Sequence, residues 1–205
     1  MPVFPSSGPC VACGLDSDSL GNHAISCARQ GERIARHNHL RDAIFSTAAS
    51  AHLAPTKEDR ALLPGSDGRP ADVMLHHFAG GLHAALDISV INPLQSQTVQ
   101  RAAVEPGYAM ELRHQQKLSK YGERCLREGI RFFPIIFEST GGIHPSGSEM
   151  LSRIAKQLAR ATGGDEGECA RHFFGRLSVT LMRDNSTLLL NRQPAHPPAT
   201  INGCL

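Results

Sequence analysis

Four residues near the N-terminus constrain this chain more than any others: Cys10, Cys13, His23 and Cys27, in the order C-x2-C-x9-H-x3-C. Cys10 and Cys13 can hold one tetrahedral ion from a tight turn, and Gly14 directly after them lets the backbone fold back around it. His23 and Cys27 are four apart, so one helical turn aims both side chains at the same point. Three thiols and an imidazole are the donor set of a structural Zn²⁺, and four protein ligands leave no open position for chemistry. The bland alternative is a loop with free cysteines and an unrelated histidine. A thioredoxin-like redox motif fits less well, because no strand is expected ahead of this Cys-x-x-Cys.

The chain has six cysteines and no secretory signal, which favours reduced thiols open to metal over a disulfide framework. Cys125, Cys169 and Cys204 lack partner spacing and are expected to be ordinary thiols. At 205 residues, 40% hydrophobic and 20% charged, the sequence suits one globular core with a small appendage. No run approaches the roughly 18 apolar residues of a membrane span, so no membrane partner is expected. With 21 basic and 19 acidic residues, bulk charge does not select nucleic acid, and with no Trp and two Tyr no base-stacking platform is visible. Any nucleic-acid function must therefore rest on motifs.

Residues 1–9, rich in Pro, Ser and Gly, are expected to be a flexible lead-in, with the knuckle over 10–30, a larger body over 31–190 and a disordered tail from 191 to 205. From Arg33 to Leu53, Ile34, Leu40, Ile44, Phe45, Ala48 and Ala51 recur at helical spacing without Pro or Gly, so an amphipathic helix ending before Pro55 is predicted. It carries Arg36-His37-Asn38, a polar cluster that a purely structural helix does not require. Arg69-Pro70-Ala71-Asp72-Val73-Met74-Leu75 reads as a short apolar strand with Asp72 near its entry, and a turn is expected at Gly80-Gly81. Then Leu82, Ala84, Leu86, Ile88 and Val90 alternate with His83, Asp87 and Ser89, a strand with one apolar face that stops at Pro93. The short link predicts an antiparallel hairpin that brings Asp72 and Asp87 to the same end.

Residues 99–128 read as a long helical stretch interrupted near Pro106-Gly107, with Lys117 and Tyr121 four apart and hence on one face. Residues 132–138 form a buried strand in which Pro134 demands an edge or a bulge. Ser146 and Glu149 read as a capping box for a helix ended by Gly163-Gly164, and a last helix is expected over 166–190.

The chemistry centres on Asp72 and Asp87. An Asp at a strand end is usually a turn cap, but Asp87 lies mid-strand in an apolar run, where an unpaired carboxylate is costly and calls for a metal or a strong partner. Two carboxylates on adjacent strands can hold Mg²⁺ or Mn²⁺, and Glu58 can add a third from the segment after the first helix. Lys117 would reach a nucleophile or a phosphate.

Helix, strand, strand, helix, strand, helix, with one acid on each of two adjacent strands and a basic helix next, resembles the PD-(D/E)XK nuclease superfamily. Its first motif is matched by Pro70-Ala71-Asp72 and its second by Asp87-Ile88-Ser89, with Ser89 where that family places lysine. Some members supply the lysine from the neighbouring helix, and Lys117-x3-Tyr121 sits where related nucleases carry Q-x3-Y.

The chain is also similar to the restriction-like endonuclease domain of site-specific non-LTR retrotransposon proteins. The ordered match is the Cys-Cys-His-Cys knuckle, Arg36-His37-Asn38, Arg69-Pro70-Ala71-Asp72, Asp87, and Lys117-x2-Lys120-Tyr121, spanning residues 10–138. One extra residue, Ala71, separates Pro70 from Asp72. The resemblance implies an α/β restriction-endonuclease-like core, a mixed central sheet flanked by helices. It further implies Mg²⁺-dependent nicking of DNA by Asp72, Asp87, Lys117 and Glu58, and a structural zinc. Arg36, His37, Asn38, Arg69, Lys120 and Tyr121 would contact nucleic acid, which is DNA first and the RNA of a retroelement second, in the nucleus. The reverse transcriptase that precedes this domain in the retroelement proteins is missing, so a detached terminal fragment or a standalone relative is expected. Ser89 in place of lysine keeps a second reading open, an inactive nucleic-acid-binding module on a nuclease fold. A third is a zinc-stabilised interaction domain unrelated to nucleic acid.

Overall fold

The computed structural model describes residues 2–57, 70–78 and 81–193. Glu58, Arg69, the Pro64-Gly65 turn and Cys204 lie outside them. The elements run β1 Gly8–Pro9, β2 Asp16–Ser17, α1 Asn22–Ser26, α2 Glu32–Ser50, β3 Pro55–Lys57, β4 Val73–Leu75, β5 His83–Ile91, α3 Val99–Ala102, α4 Tyr108–Lys117, α5 Glu123–Arg127, β6 Ile130–Glu138, α6 Pro145–Thr162 and α7 Glu166–Leu190. The result is a mixed α/β fold.

One four-stranded sheet, in the order β3-β4-β5-β6, organises the body. The first two pairings are antiparallel, with Val73 opposite Leu86, whereas β5 and β6 run parallel with Asp87 opposite Pro134. β6 is therefore an edge strand, the position that a proline lacking its N–H tolerates. The parallel pairing needs a crossover, and α3, α4 and α5 supply it.

Alternation along β5 divides the molecule. Ala84, Leu86 and Ile88 enter the main core with Leu40 and Ile44 of α2, Met150, Leu151 and Ile154 of α6, and Leu177 and Leu181 of α7. Each fully buried aliphatic side chain here stabilises the fold by about 1.5–3 kcal/mol. On the other face Ala85 joins Ala71, Met74, Tyr121, Cys125 and Ile130 in a smaller cluster beneath α5. Ile34 and Leu82, expected on apolar faces, are exposed instead, because α2 turns Ile34 away from the sheet and β5 begins one residue after Leu82.

Several local expectations are corrected. The lead-in is tied down rather than flexible: Val3 and Phe4 both donate backbone N–H groups to Ser19, and Phe4 is 3% exposed. Residues 191–193 are held against the body, since the fully buried Arg192 pairs with Glu32 at 2.5 Å and with the Arg29 carbonyl. The N-cap of α6 is His144, whose Nδ1 accepts from Ser146 N at 3.3 Å, and Pro145 takes the first helical position. Ser146 therefore lies inside the helix and heads no capping box. Lys117 and Tyr121 both turn towards the same face of β5, Lys117 onto Asp87 and Tyr121 into the Ala85 cluster, across a π-helical turn at Leu118–Gly122.

A buried polar chain binds the knuckle to the body. Arg36 donates to Asn185 Oδ1 at 2.6 Å, Asn185 Nδ2 donates to the Ser139 carbonyl at 2.7 Å, and Ser139 Oγ lies 3.4 Å from Asn92 Oδ1. Asn92 Nδ2 in turn reaches the Asn22 carbonyl and Ser26 Oγ on α1. Arg36 thus reads as a strut: burial drops its pKa to about 10, and its Nε has no partner.

Candidate metal knuckle and acidic cleft

In the knuckle the ligand atoms of Cys10, Cys13, His23 and Cys27 all lie within 4.8 Å of one another. Gly14, at φ +74°, closes the first turn, with its N–H on the Cys10 carbonyl at 2.8 Å, and Cys10 N bonds the Leu15 carbonyl at the same distance. A two-residue strand, β1, precedes the Cys-x-x-Cys and pairs with β2. On the other side α1 presents His23 and Cys27, with Cys27 N on the His23 carbonyl at 2.7 Å. Asp18 caps this helix by accepting from Asn22 N and His23 N, and those backbone donors hold its carboxyl below the usual range despite partial burial. His23 Nε2 sits 3.2 Å from Cys13 Sγ. These four residues can hold one zinc ion.

The second site is a cleft of ≈ 860 Å³ between α2, the β4–β5 hairpin and α4. Arg36, His37, Asp72, Asp87 and Lys117 from the sequence reading all line it. Asn38 is half-buried and bonds only His37 Nδ1 at 3.4 Å; Lys120 is exposed over the Tyr121 ring; Tyr121 is buried against Phe132. None of these three borders the cleft. Arg33, Arg113 and Gln116 do, and the sequence reading missed them. Helical spacing was the available signal, since Arg33 precedes His37 by four residues and Arg113 precedes Lys117 by four.

The hairpin register sets the two acids. Asp72 N bonds the Leu86 carbonyl at 2.8 Å, extending the ladder one step beyond β4, and Asp72 Oδ2 accepts from Ile88 N at 2.6 Å. The same oxygen lies 3.1 Å from His37 Nε2, which is also 3.1 Å from the Ile88 carbonyl. The Asp72 carboxylate, outweighing burial, raises the His37 pKa. An imidazole N–H therefore sits between two oxygens.

Asp87 is 6% exposed and faces the cleft, away from the apolar side of β5. Lys117 Nζ reaches it at 2.9 Å from Oδ1 and 2.7 Å from Oδ2. Oδ2 is outside hydrogen-bonding geometry with that ammonium and finds no other donor. Burial pushes the Asp87 carboxyl up to about 6, and the attraction of Lys117 only partly opposes this. Ser89, two residues on, is buried in the cleft wall. The cationic group that the strand lacks at that position comes from α4.

Four basic side chains, Arg33, Arg36, Arg113 and Lys117, line the cleft with His37 against two carboxylates. Such a surround favours an anionic ligand over an acidic floor. No helix among the described residues is long and apolar enough to cross a membrane. No protein-family model matches the chain, and no curated protein matches it.

Proposed function

We propose that this protein is a metal-dependent DNA endonuclease whose reaction takes place in the acidic cleft, with the knuckle as a structural zinc module. The observation that carries this reading is the Lys117 ammonium set against the buried carboxylate of Asp87, in the same cleft as Asp72. The donors suit Mg²⁺ or Mn²⁺: the carboxylates of Asp72 and Asp87 and the Ile88 carbonyl are all oxygens, and Asp87 Oδ2 is buried without a hydrogen bond. Such a cation, when bound, neutralises charge on the cleaved phosphate and acidifies the attacking water. Asp72 and Asp87 would hold it. Lys117, released from Asp87, would face the nucleophile or the phosphate, doing from α4 what the related nucleases do with a strand lysine. His37 would orient Asp72, and Arg33 and Arg113 would hold the DNA backbone, so affinity should fall as salt rises.

One observation favours a second reading, a nucleic-acid-binding module without catalysis. Each acid already has a base of its own, His37 for Asp72 and Lys117 for Asp87, so the folded state does not depend on a cation for balance.

Conversion of supercoiled plasmid to nicked circle by zinc-replete protein separates the two. The nuclease reading expects nicking with Mg²⁺ or Mn²⁺, its loss in Asp87→Ala, and a drop of about a hundredfold in Lys117→Ala. Salt-sensitive DNA binding without metal-dependent nicking would overturn it in favour of the binding module.

A further inference from the structure

The face of α4 opposite the cleft carries a cluster that neither the knuckle nor the proposed nuclease chemistry uses. Glu111 and His114, one helical turn apart, meet His144, the N-cap of α6, and ligand atoms of all three lie within 4.8 Å of one another. His144 is fixed from below: its N–H bonds the Ile136 carbonyl at 2.9 Å, and Phe137 bridges to Ile143 just before it. His144 Nε2 stands 2.9 Å from Glu111 Oε2, and the two imidazoles lie face to face with centroids 4.0 Å apart. Ser146 Oγ sits between them, 3.0 Å from His144 Nδ1 and 2.9 Å from His114 Nε2. His114 Nδ1 is buried and has no hydrogen-bond partner.

Two histidines and a carboxylate gathered from two helices exceed what a helix cap needs, since His144 already caps α6 through the Ser146 N–H. We infer that Glu111, His114 and His144 form a second metal site, which takes Zn²⁺ or a similar first-row transition ion. Two nitrogens and one oxygen are the donors that such ions accept, whereas Mg²⁺ and Ca²⁺ prefer oxygen alone. The Glu111–His144 separation, now spanned by a hydrogen bond, would widen by about half an ångström when an ion replaces the shared proton. A residual position falls to water or to Ser146 Oγ. Neither the cleft nor the two smaller cavities, at Leu53–Arg160 and at Thr47–Arg176, is lined by this cluster, and the ion would act as a clamp. It would lock α4 to the start of α6, and α4 is the helix that presents Lys117 and Arg113 to the cleft. The inference does not depend on whether the cleft cuts DNA.

Co²⁺ titration of the full chain tests it, because Co²⁺ in the knuckle gives an intense thiolate charge-transfer band and Co²⁺ on nitrogen and oxygen does not. Wild type should bind one more equivalent than either Glu111→Gln or His114→Ala, whatever the cleft takes up, and both variants should keep the thiolate band and the wild-type far-UV circular dichroism, which together show an intact knuckle and body. At the least, affinity for that equivalent should fall about tenfold or more. Equal stoichiometry and affinity in wild type and both variants, with the thiolate band present, would overturn the proposal.

Discussion

The knuckle and the cleft both gather polar side chains from segments distant in sequence, but they balance charge in opposite ways. The knuckle brings three thiols and an imidazole to one point, and of its thiols Cys27 is hydrogen-bonded by the Arg192 guanidinium. The cleft pairs every acid with a base, Asp72 with His37 at 3.1 Å and Asp87 with Lys117 at 2.7 Å. A site in which several thiols crowd together with a single basic neighbour is a folding element that needs its ion. A site built of ligand and base pairs folds without an ion and can admit one later.

That contrast is broken most forcefully by removing the knuckle's ligands. Zinc contributes on the order of 10 kcal/mol to folding in isolated zinc-finger peptides. Cys27→Ser or a strong chelator should therefore erase amide-exchange protection at Gly14 and Cys27, while β5 stays protected. Joint loss in both regions would show that the polar chain from Ser26 to Arg36 makes them one cooperative unit. Gly21→Ala strikes the same seam from the packing side: φ is +79° and a new Cβ would meet Leu189 Cδ2 at 2.6 Å. A loss of about 2–4 kcal/mol in urea denaturation is expected; a loss under about 0.5 kcal/mol would mean that α1 and α7 are not packed as described.

The cleft should respond with the opposite sign. Asp87 has its pKa raised from 3.8 to about 6, so its ionised form is disfavoured in the folded state. This penalty is absent below pH 3.8, grows between 3.8 and 6, and is complete above 6. Without added divalent cation, Asp87→Asn should then be more stable than wild type at pH 7.5 by about 2 kcal/mol, with the difference shrinking towards zero near pH 4. Denaturation of both proteins across that range checks it. A variant less stable at every pH would make the Lys117–Asp87 pair a structural ion pair. The smallest effect belongs to Lys120, which is exposed and outside the cleft: Lys120→Ala should change stability by less than about 0.5 kcal/mol and leave nicking intact. A large loss of nicking would move the DNA path onto the Leu118–Gly122 turn.

What was legible in the sequence was what local periodicity encodes. The alternation along β5 set Asp87 and Ser89 opposite Ala84, Leu86 and Ile88, the short link placed Asp72 beside Asp87, and the spacing of Cys10, Cys13, His23 and Cys27 gave the knuckle directly. Pro134 restricted its own strand to an edge or a bulge, and β6 is an edge strand. What stayed hidden depends on contacts across the chain. No short-range pattern announces that Phe4 is buried under Ser19, that Arg192 returns to Glu32, or that His144 meets Glu111 across 33 residues. The π-helical turn at 118–122 escaped for a related reason, since 3.6-residue periodicity assumes an unbroken helix.

The central claim is that Asp72 and Asp87 together hold a divalent cation in a cleft that folds without one. Mn²⁺ binding to zinc-replete protein, followed by electron paramagnetic resonance, tests it most directly. One Mn²⁺ should bind to wild type and be lost in both Asp72→Ala and Asp87→Ala, while each variant keeps its knuckle zinc. Mn²⁺ binding unchanged in both variants, or none in wild type, would contradict it.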